Sequence, residues 1–129
     1  MNDDKQMTDV WRLPAIAPWE KSCGKHPTQK PIALLVRIIL ACTDINSWIL
    51  DPFAGSSTTG IAANLVGRRY LGIEKEMDFA EMSCRRREEI NNFAVYADYR
   101  SRIKDITKLE ILEPSCFVCE DEIISNLPF

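Results

Sequence analysis

Residues 49–60 constrain the fold more than any other part of the chain. A short apolar run ends at Asp51, and small residues fill positions 54–57 before the sequence becomes helical. A second short apolar run follows this helix and ends at Glu74. This order predicts a strand, a turn of small residues, a helix and a second strand with an acidic end. A parallel α/β sheet uses these elements to form a nucleotide-sized pocket at the carboxyl ends of its strands.

The residue types in this stretch suit an adenosine-containing cofactor. Small residues at 54–57 let the backbone approach a ligand closely, and the amides at the start of the following helix offer donors to an anionic group. The carboxylate of Glu74 can accept both hydroxyls of a ribose. A glycine-rich turn alone is a weak signal, because many strand-to-helix turns contain Gly and Ser for conformational reasons.

Three motifs in one order give a stronger signal. They are Lys25–Pro31 with the apolar run that follows it, residues 51–60, and Gly67–Glu74. Together they resemble the carboxyl-terminal half of S-adenosylmethionine-dependent DNA amino-methyltransferases of the permuted (β) class, over about residues 9–90. The resemblance implies a partial Rossmann-like α/β fold, an incomplete parallel sheet with flanking helices.

The resemblance also implies which residues bind S-adenosyl-L-methionine. Residues 51–56 would line its methionine and adenosine moieties, Glu74 would hold its ribose, and residues 28–31 would flank its amino-acid end, with Lys30 facing a carboxylate. The implied cofactor-binding residues are Thr28, Lys30, Asp51, Pro52, Phe53, Ala54, Gly55, Ser56, Thr58 and Glu74. Ser57 stands where the family usually has Gly, which a turn tolerates only if φ is negative or the strain is absorbed.

The catalytic tetrapeptide of the family, Asp/Asn/Ser-Pro-Pro-aromatic, does not occur in residues 1–48. We therefore expect the cofactor-binding portion of a split or truncated N6-adenine or N4-cytosine DNA methyltransferase, inactive alone and without an assigned catalytic residue. Its partners would be double-stranded DNA, through the complete enzyme, and either a chain carrying the tetrapeptide or a second copy. A decayed remnant with residual cofactor affinity and a non-catalytic cofactor-binding or assembly subunit remain open as alternatives.

Charge divides the chain into two parts. Residues 1–104, the expected cofactor-binding half, carry 15 Lys or Arg and 13 Asp or Glu, whereas residues 105–129 carry one Lys and six acids. This acidic extension does not favour contact with DNA. It ends in Asn126-Leu127-Pro128-Phe129, which resembles the tetrapeptide of unpermuted methyltransferases, although a frayed terminus is the simpler interpretation.

A nucleic-acid surface would have to come from local basic clusters. These are Lys21, Lys25 and Lys30, then Arg68-Arg69, then Arg85-Arg86-Arg87. For the arginine triplet we prefer a solvated helix face, paired with the glutamates at 81, 88 and 89.

Composition bounds the class of protein. No apolar run approaches the length that a membrane span needs and the first six positions are polar and acidic, so we expect neither a span nor a signal peptide, and a cytoplasmic location. Five cysteines, an odd number, indicate reduced thiols, with Cys42 and Cys84 in the core. Cys23-x-x-His26 and Cys116-x-x-Cys119 have zinc-ligand types but lie far apart, so no metal site is assigned.

Hydrophobic spacing and breakers predict the elements. We expect a helix from Pro31 to about Cys42, a fully buried strand over 48–50, a helix over 58–66 ended by Gly67, and a strand over 70–74. A helix over 78–93 would carry a stripe formed by Phe79, Ser83, Arg86, Ile90 and Phe93. Residues 106–112 and 123–124 are candidate strands.

Overall fold

The computed structural model describes residues 6–107 and 109, in which helices surround a two-stranded parallel sheet. A short 3-10 turn at Pro18–Lys21 precedes the main elements. They are α1 (Ile32–Cys42), β1 (Trp48–Asp51), α2 (Thr58–Leu65), β2 (Arg69–Gly72), α3 (Met77–Asn91) and α4 (Phe93–Arg102). The predicted order of strand, turn, helix and strand is confirmed, and the parallel pairing confirms the α/β class.

Helix α2 is the crossover between the two strands and lies at the centre of the core, with seven of its eight residues buried. Helix α1 follows Pro31, whose backbone is extended (φ −61°, ψ 135°), and buries Ile32, Val36 and Ile39 along one side. This i, i+4, i+7 spacing is the apolar stripe of an amphipathic helix. The predicted cap at Gly67 is confirmed, since Gly67 has φ +72° and donates its N–H to the carbonyl of Asn64.

One face of the sheet packs against the core through Ile49 and Tyr70, which are paired neighbours in the register. The Tyr70 ring lies where two glycines leave room for it. A β-carbon at Gly60 would lie 2.6 Å from Tyr70 Cε1, and one at Gly72 would collide with the Tyr70 hydroxyl. These two glycines therefore permit the ring to lie flat between α2 and the sheet.

The opposite face of the sheet is bare. Trp48 and Leu50 on β1 are 66% and 62% exposed, and Leu71 and Ile73 on and after β2 are each 55% exposed. The prediction of a fully buried β1 is therefore wrong for this face. Exposed apolar residues alternate with half-buried ones because no described element covers them, whereas parallel sheets are ordinarily covered on both faces.

The helix predicted over residues 78–93 is confirmed as α3, which ends at Asn91, and a break at Asn92 separates it from α4. Asn92 adopts an extended backbone (φ −73°, ψ 118°), and its side-chain oxygen accepts the N–H groups of Ala94 and Val95. That cap starts α4 and ends α3. Of the predicted stripe, Arg86 and Ile90 are buried, whereas Phe93, beyond the break, is 58% exposed.

Three further predictions are corrected or fall outside the described residues. Cys42 and Cys84 are exposed rather than in the core, because Cys42 ends α1 beyond its last buried residue and Cys84 lies on the side of α3 away from Arg86. Residues 104–107 form a turn rather than the start of a strand. Residues 110–112 and 123–124, Cys116, Cys119 and the Asn126–Phe129 tetrapeptide lie outside the described residues.

Neither a membrane span nor a metal cluster is found in the described part of the chain. None of the helices there combines the length and apolarity that crossing a membrane demands. Residues 6–107 and 109 contain no group of three or more His, Cys, Asp or Glu side chains placed to share a metal ion.

Candidate functional site

Asp51 ends β1 and organises the turn that follows it. Its Oδ1 accepts the N–H of Phe53 (3.1 Å) and its Oδ2 accepts the hydroxyl of Thr59 in the first turn of α2 (2.6 Å). The Asp51 carbonyl also accepts the N–H of Ile73 (2.9 Å), and the Ile73 carbonyl accepts the N–H of Ala54 (2.9 Å). Asp51 therefore ties together the end of β1, the start of α2 and the segment after β2.

Glu74 reaches the same turn from the neighbouring strand. Its Oε2 accepts the N–H of Gly55 (2.7 Å) and its Oε1 accepts the N–H of Glu76 (2.9 Å). Hydrogen bonds from backbone amides, that of Glu76 foremost, hold the pKa of Glu74 below its ordinary value. The result is a half-exposed carboxylate that is ionised at neutral pH, next to a glycine turn, with acceptor capacity to spare.

The segment 25–31 lies against this turn. A β-carbon at Gly55, where φ is +54°, would lie 3.2 Å from Nε2 of His26. The His26 ring packs on Phe79 with centroids 4.2 Å apart, and its Nδ1 accepts the N–H of Thr28 (3.2 Å). A side chain at position 55 would therefore press on the His26 ring and strain the left-handed backbone, so Gly suits both the space and the backbone angle.

The ten predicted cofactor residues divide by exposure. Those buried or half-buried around the turn are Asp51, Ala54, Gly55, Ser56, Thr58 and Glu74, and those exposed are Thr28, Lys30, Pro52 and Phe53. Gln29 anchors the exposed segment, because its buried side chain donates to the Glu20 carbonyl (2.8 Å). The structure thus brings Asp51, Gly55 and Glu74 together directly, and it leaves the side chain of Lys30 in solvent.

Two residues of α3, Ser83 and Arg86, hydrogen-bond to the turn. Neither was predicted as a site residue. Ser83 Oγ donates to the Gly55 carbonyl (2.9 Å). Arg86 Nη1 donates to the Ser56 carbonyl (2.7 Å), to Ser56 Oγ (3.1 Å) and to Thr58 Oγ1 (3.1 Å). Arg86 is 3% exposed, so the prediction of a solvated arginine face is wrong for it. The available signal was its place on the predicted stripe, three positions after Ser83, which competed with the solvated-face interpretation of the arginine run.

Ser57 does not have the negative φ that would make Ser unstrained at this position, so the turn has to absorb the strain. Its φ is +53° and its ψ is 39°, so the residue is left-handed and the turn absorbs the strain. The Tyr70 hydroxyl lies 3.4 Å from Ser57 Oγ, and burial raises the pKa of Tyr70 to about 12. The Tyr70 hydroxyl is therefore neutral at physiological pH and lies beside the turn at Ser57.

Several arginines proposed as a nucleic-acid surface have structural partners instead. Arg68 is buried and donates to the carbonyls of Val66 (2.5 Å) and Thr43 (2.6 Å), which joins the ends of α1 and α2. The Arg69 guanidinium lies over the Trp48 ring at 5.7 Å. Lys25 and Lys30 stay exposed. Of the three basic clusters, Arg68 and Arg86 are therefore buried, whereas Lys25, Lys30, Arg69 and Arg85 remain exposed.

Comparison with known proteins gives consistent results. A family model described as DNA methylase matches residues 1–85. The type II methyltransferase M2.MboI of Moraxella bovis is 60% identical over 90 residues, which are 70% of this chain and 33% of that protein. M2.DpnII of Streptococcus pneumoniae is 50% identical over 91 residues, 70% of this chain and 34% of that protein. The DNA adenine methyltransferase YhdJ of Escherichia coli is 41% identical over 93 residues, 72% of this chain and 32% of that protein.

Among solved structures, the crystal structure of the M1.HpyAVI-SAM complex matches with a TM-score of 0.56 and 37% identity, over 64% of this chain and 42% of that chain. The chain spans about a third of the length of the curated relatives it matches. The matched residues 1–85 contain all three motifs, with Asp51, Gly55 and Glu74 in one site. The chain belongs to the N6/N4 DNA methylase family.

Proposed function

We propose that this chain is the S-adenosyl-L-methionine-binding portion of an N6-adenine or N4-cytosine DNA methyltransferase. One observation carries the proposal: the ionised Glu74 carboxylate, just past β2, lies 2.7 Å from the Gly55 amide in the turn after β1. A carboxylate beside a glycine turn, at the carboxyl ends of adjacent parallel strands, is the arrangement that holds the ribose of an adenosine.

The residues present fit this cofactor. Gly55 has no side chain and a left-handed backbone, so the turn keeps the shape in which its amide faces Glu74. The Glu74 oxygens accept backbone amides of the turn and of the segment after β2, and a ribose hydroxyl would bind the acceptor capacity that remains while the turn stays fixed. The solved relative M1.HpyAVI is a complex with SAM. When bound, the cofactor supplies an electrophilic methyl group on its sulfonium.

The chain's own residues would orient the cofactor rather than move protons. Asp51 has both carboxylate oxygens engaged by Phe53 and Thr59, so its role is to hold the turn in shape. Glu74 would accept the ribose hydroxyls, and the segment 28–31, with Lys30, would approach the amino-acid end. Residues 1–104 would form this cofactor-binding half, and residues 105–129 an acidic extension.

Methyl transfer to DNA is proposed for a complete enzyme. A methyltransferase acting on the exocyclic amine of a base in a duplex must take that base out of the stack, which requires a pocket and a DNA surface. The relatives are about three times the matched length, and the sheet has a bare apolar face, which support a partner chain, or a second copy, completing the domain.

Cofactor binding is tested by thermal denaturation of the full chain. S-adenosylmethionine or its demethylated product should raise the Tm by mass action, with a shift that grows with ligand concentration. Glu74→Ala should abolish the shift by removing the ribose acceptor, and Gly55→Val should abolish it because its side chain would press on the His26 ring and strain the left-handed backbone of the turn.

Glu88→Ala is the matched control, because it removes an exposed carboxylate from α3 away from the turn. It should leave the shift unchanged. If Glu74→Ala and Gly55→Val both keep the wild-type shift, the site assignment is wrong. Restored methylation by a complete enzyme in which this half binds no cofactor would favour the alternative, an assembly subunit.

A further inference from the structure

The cofactor turn contains a conformation that its residue does not favour. Ser57 is left-handed, and no hydrogen bond from its side chain caps the helix that it begins. A left-handed backbone crowds the β-carbon of any residue other than Gly, so Ser at this position costs free energy relative to Gly. Some neighbouring group must hold the chain in this state.

Arg86 donates hydrogen bonds to the residues on both sides of Ser57. One guanidinium nitrogen, Nη1, donates to the Ser56 carbonyl and hydroxyl before it and to the Thr58 hydroxyl after it. Both serines and Thr58 are buried, as is Arg86. Hydrogen bonds from a charged donor are about twice as strong as neutral ones, which suits them to hold a strained backbone.

Polar and acidic groups surround the guanidinium of Arg86. Burial lowers the pKa of Arg86, and the groups that oppose this effect and favour the charged form are Tyr99, Cys23, Glu20 and Glu89. Glu89 Oε2 in turn accepts Ser22 Oγ (2.8 Å) and the Tyr99 hydroxyl (3.2 Å). This network joins α3, α4 and the 18–24 segment behind the turn, and it places acidic and polar groups near the buried guanidinium of Arg86.

We propose that Arg86 is a positioning residue that clamps the cofactor turn across Ser57 and thereby keeps the Gly55 amide against Glu74. The clamp does not contact the cofactor. The cofactor-affinity part of the proposal rests on the proposed function, whereas the part about the conformation of the turn does not.

A double-mutant cycle with Arg86→Met and Ser57→Gly in the full chain tests the clamp. Calorimetry would measure the Kd for S-adenosylmethionine, and thermal unfolding the Tm. Arg86→Met should weaken binding about tenfold or more, the cost of losing charge-assisted hydrogen bonds that fix the turn. Ser57→Gly alone should change the Kd less than about twofold, because Gly adopts the same backbone angle without strain.

The double variant is the decisive measurement. If Arg86 acts by holding a strained Ser57, Gly at position 57 should restore the affinity lost in Arg86→Met to within about threefold of wild type. If Arg86 only packs α3 into the core, Ser57→Gly should restore nothing, and the proposal would be overturned. Arg85→Met, which removes the exposed neighbouring charge on α3, should leave the Kd within about twofold.

Two further arms keep the result interpretable. If Arg86→Met does not fold, Arg86→Lys carries the same cycle, since a lysine keeps the charge but its ammonium group ends one atom short of the position of Nη1, from which both sides of Ser57 are reached. If the wild-type chain binds no S-adenosylmethionine, the proposed function fails. The clamp is then tested only by the Tm values of wild type, the two single variants and the double variant. Ser57→Gly must then raise the Tm less in the Arg86 variant than in wild type, because the strain that Gly relieves persists only while Arg86 holds the turn, and equal effects in both backgrounds would contradict the clamp.

Discussion

The two faces of the β1–β2 sheet come from alternate residues of the same two strands, yet they differ in every respect that matters for function. The inner face packs Ile49 and Tyr70 on the core and leads into the Asp51–Glu74 site. The outer face leaves Trp48, Leu50 and Leu71 more than half exposed. The inner face alone therefore positions the Asp51–Glu74 site, whereas no element among the described residues covers the outer face.

The largest expected effect concerns the outer face and is close to all-or-none. The isolated chain should transfer no methyl group to DNA, whereas addition of the complementary part of a methyltransferase, carrying the catalytic tetrapeptide, should restore transfer. Leu50→Lys with Leu71→Lys should lower restored methylation at least about a hundredfold, because two charges would be buried without partners. The transfer is measured as radiolabelled methyl groups from S-adenosylmethionine that are retained with DNA on a filter.

Ile38→Lys is the control, since Ile38 is an exposed apolar residue of α1 rather than of the sheet. It should leave restored methylation within about threefold. Robust methylation by the purified chain alone, lost in Asp51→Ala, would show that no further part is required and would break the comparison between the faces.

On the inner face, Gly60→Ala should lower the free energy of unfolding by about 3 kcal/mol, because the new β-carbon overlaps the Tyr70 ring. Denaturant titration of the full chain measures the loss. Tyr70→Ala removes the obstacle at its own cost, so Gly60→Ala and Tyr70→Ala together should cost clearly less than the sum of the two. Strict additivity would mean that the ring moves aside without penalty.

On the outer face, Leu50→Ser should change the free energy of unfolding of the isolated chain by less than about 0.5 kcal/mol, the usual effect at an exposed position. The same titration used for Gly60→Ala gives a direct comparison between the faces. A loss as large as that of truncating a buried leucine would indicate that this face is covered in the isolated chain, by self-association or otherwise. Dilution over a wide range of protein concentration would then separate the two cases.

The smallest expected effect is the dependence of the cofactor shift on pH. The pKa of Glu74 is lowered in the folded chain, so its stabilising amide bonds are fully present above its unfolded pKa and are lost only as the pH falls through the lower, folded value. The Tm shift with S-adenosylmethionine should therefore stay constant from about pH 8 to about pH 5.5 and decline only in more acidic solution. A decline that begins near the ordinary pKa of histidine, about 6.5, would assign the pH dependence to another group.

The sequence predicted the strand, turn and helix after residue 48 because small residues, apolar runs and cap glycines act locally. Glu74 and Gly55 could be placed together because the carboxyl ends of parallel strands meet at one edge. Their convergence was inferred from the order of two motifs and required no knowledge of side-chain angles.

Other features depended on contacts that local rules do not contain. Arg86 belongs to a run of three arginines, and the sequence alone did not show that the middle one turns inward to bind the Ser56 carbonyl. The break at Asn92 depends on a side-chain cap that competes with a continuous helix. Leu50 is exposed because no described element covers the outer face of the sheet. The apolar pattern of a strand cannot reveal whether such a covering element is present.

The Tyr70 ring occupies space that two glycines on different elements leave open, Gly60 on α2 and Gly72 at the end of β2. Substitution at any one of these three positions therefore changes what the other two can tolerate. Among relatives, a side chain at position 60 or 72 should occur together with a smaller residue at position 70, and an aromatic ring at 70 should occur with glycine at both. The three positions would then vary as one unit, although a helix carries one of them and a strand the other two.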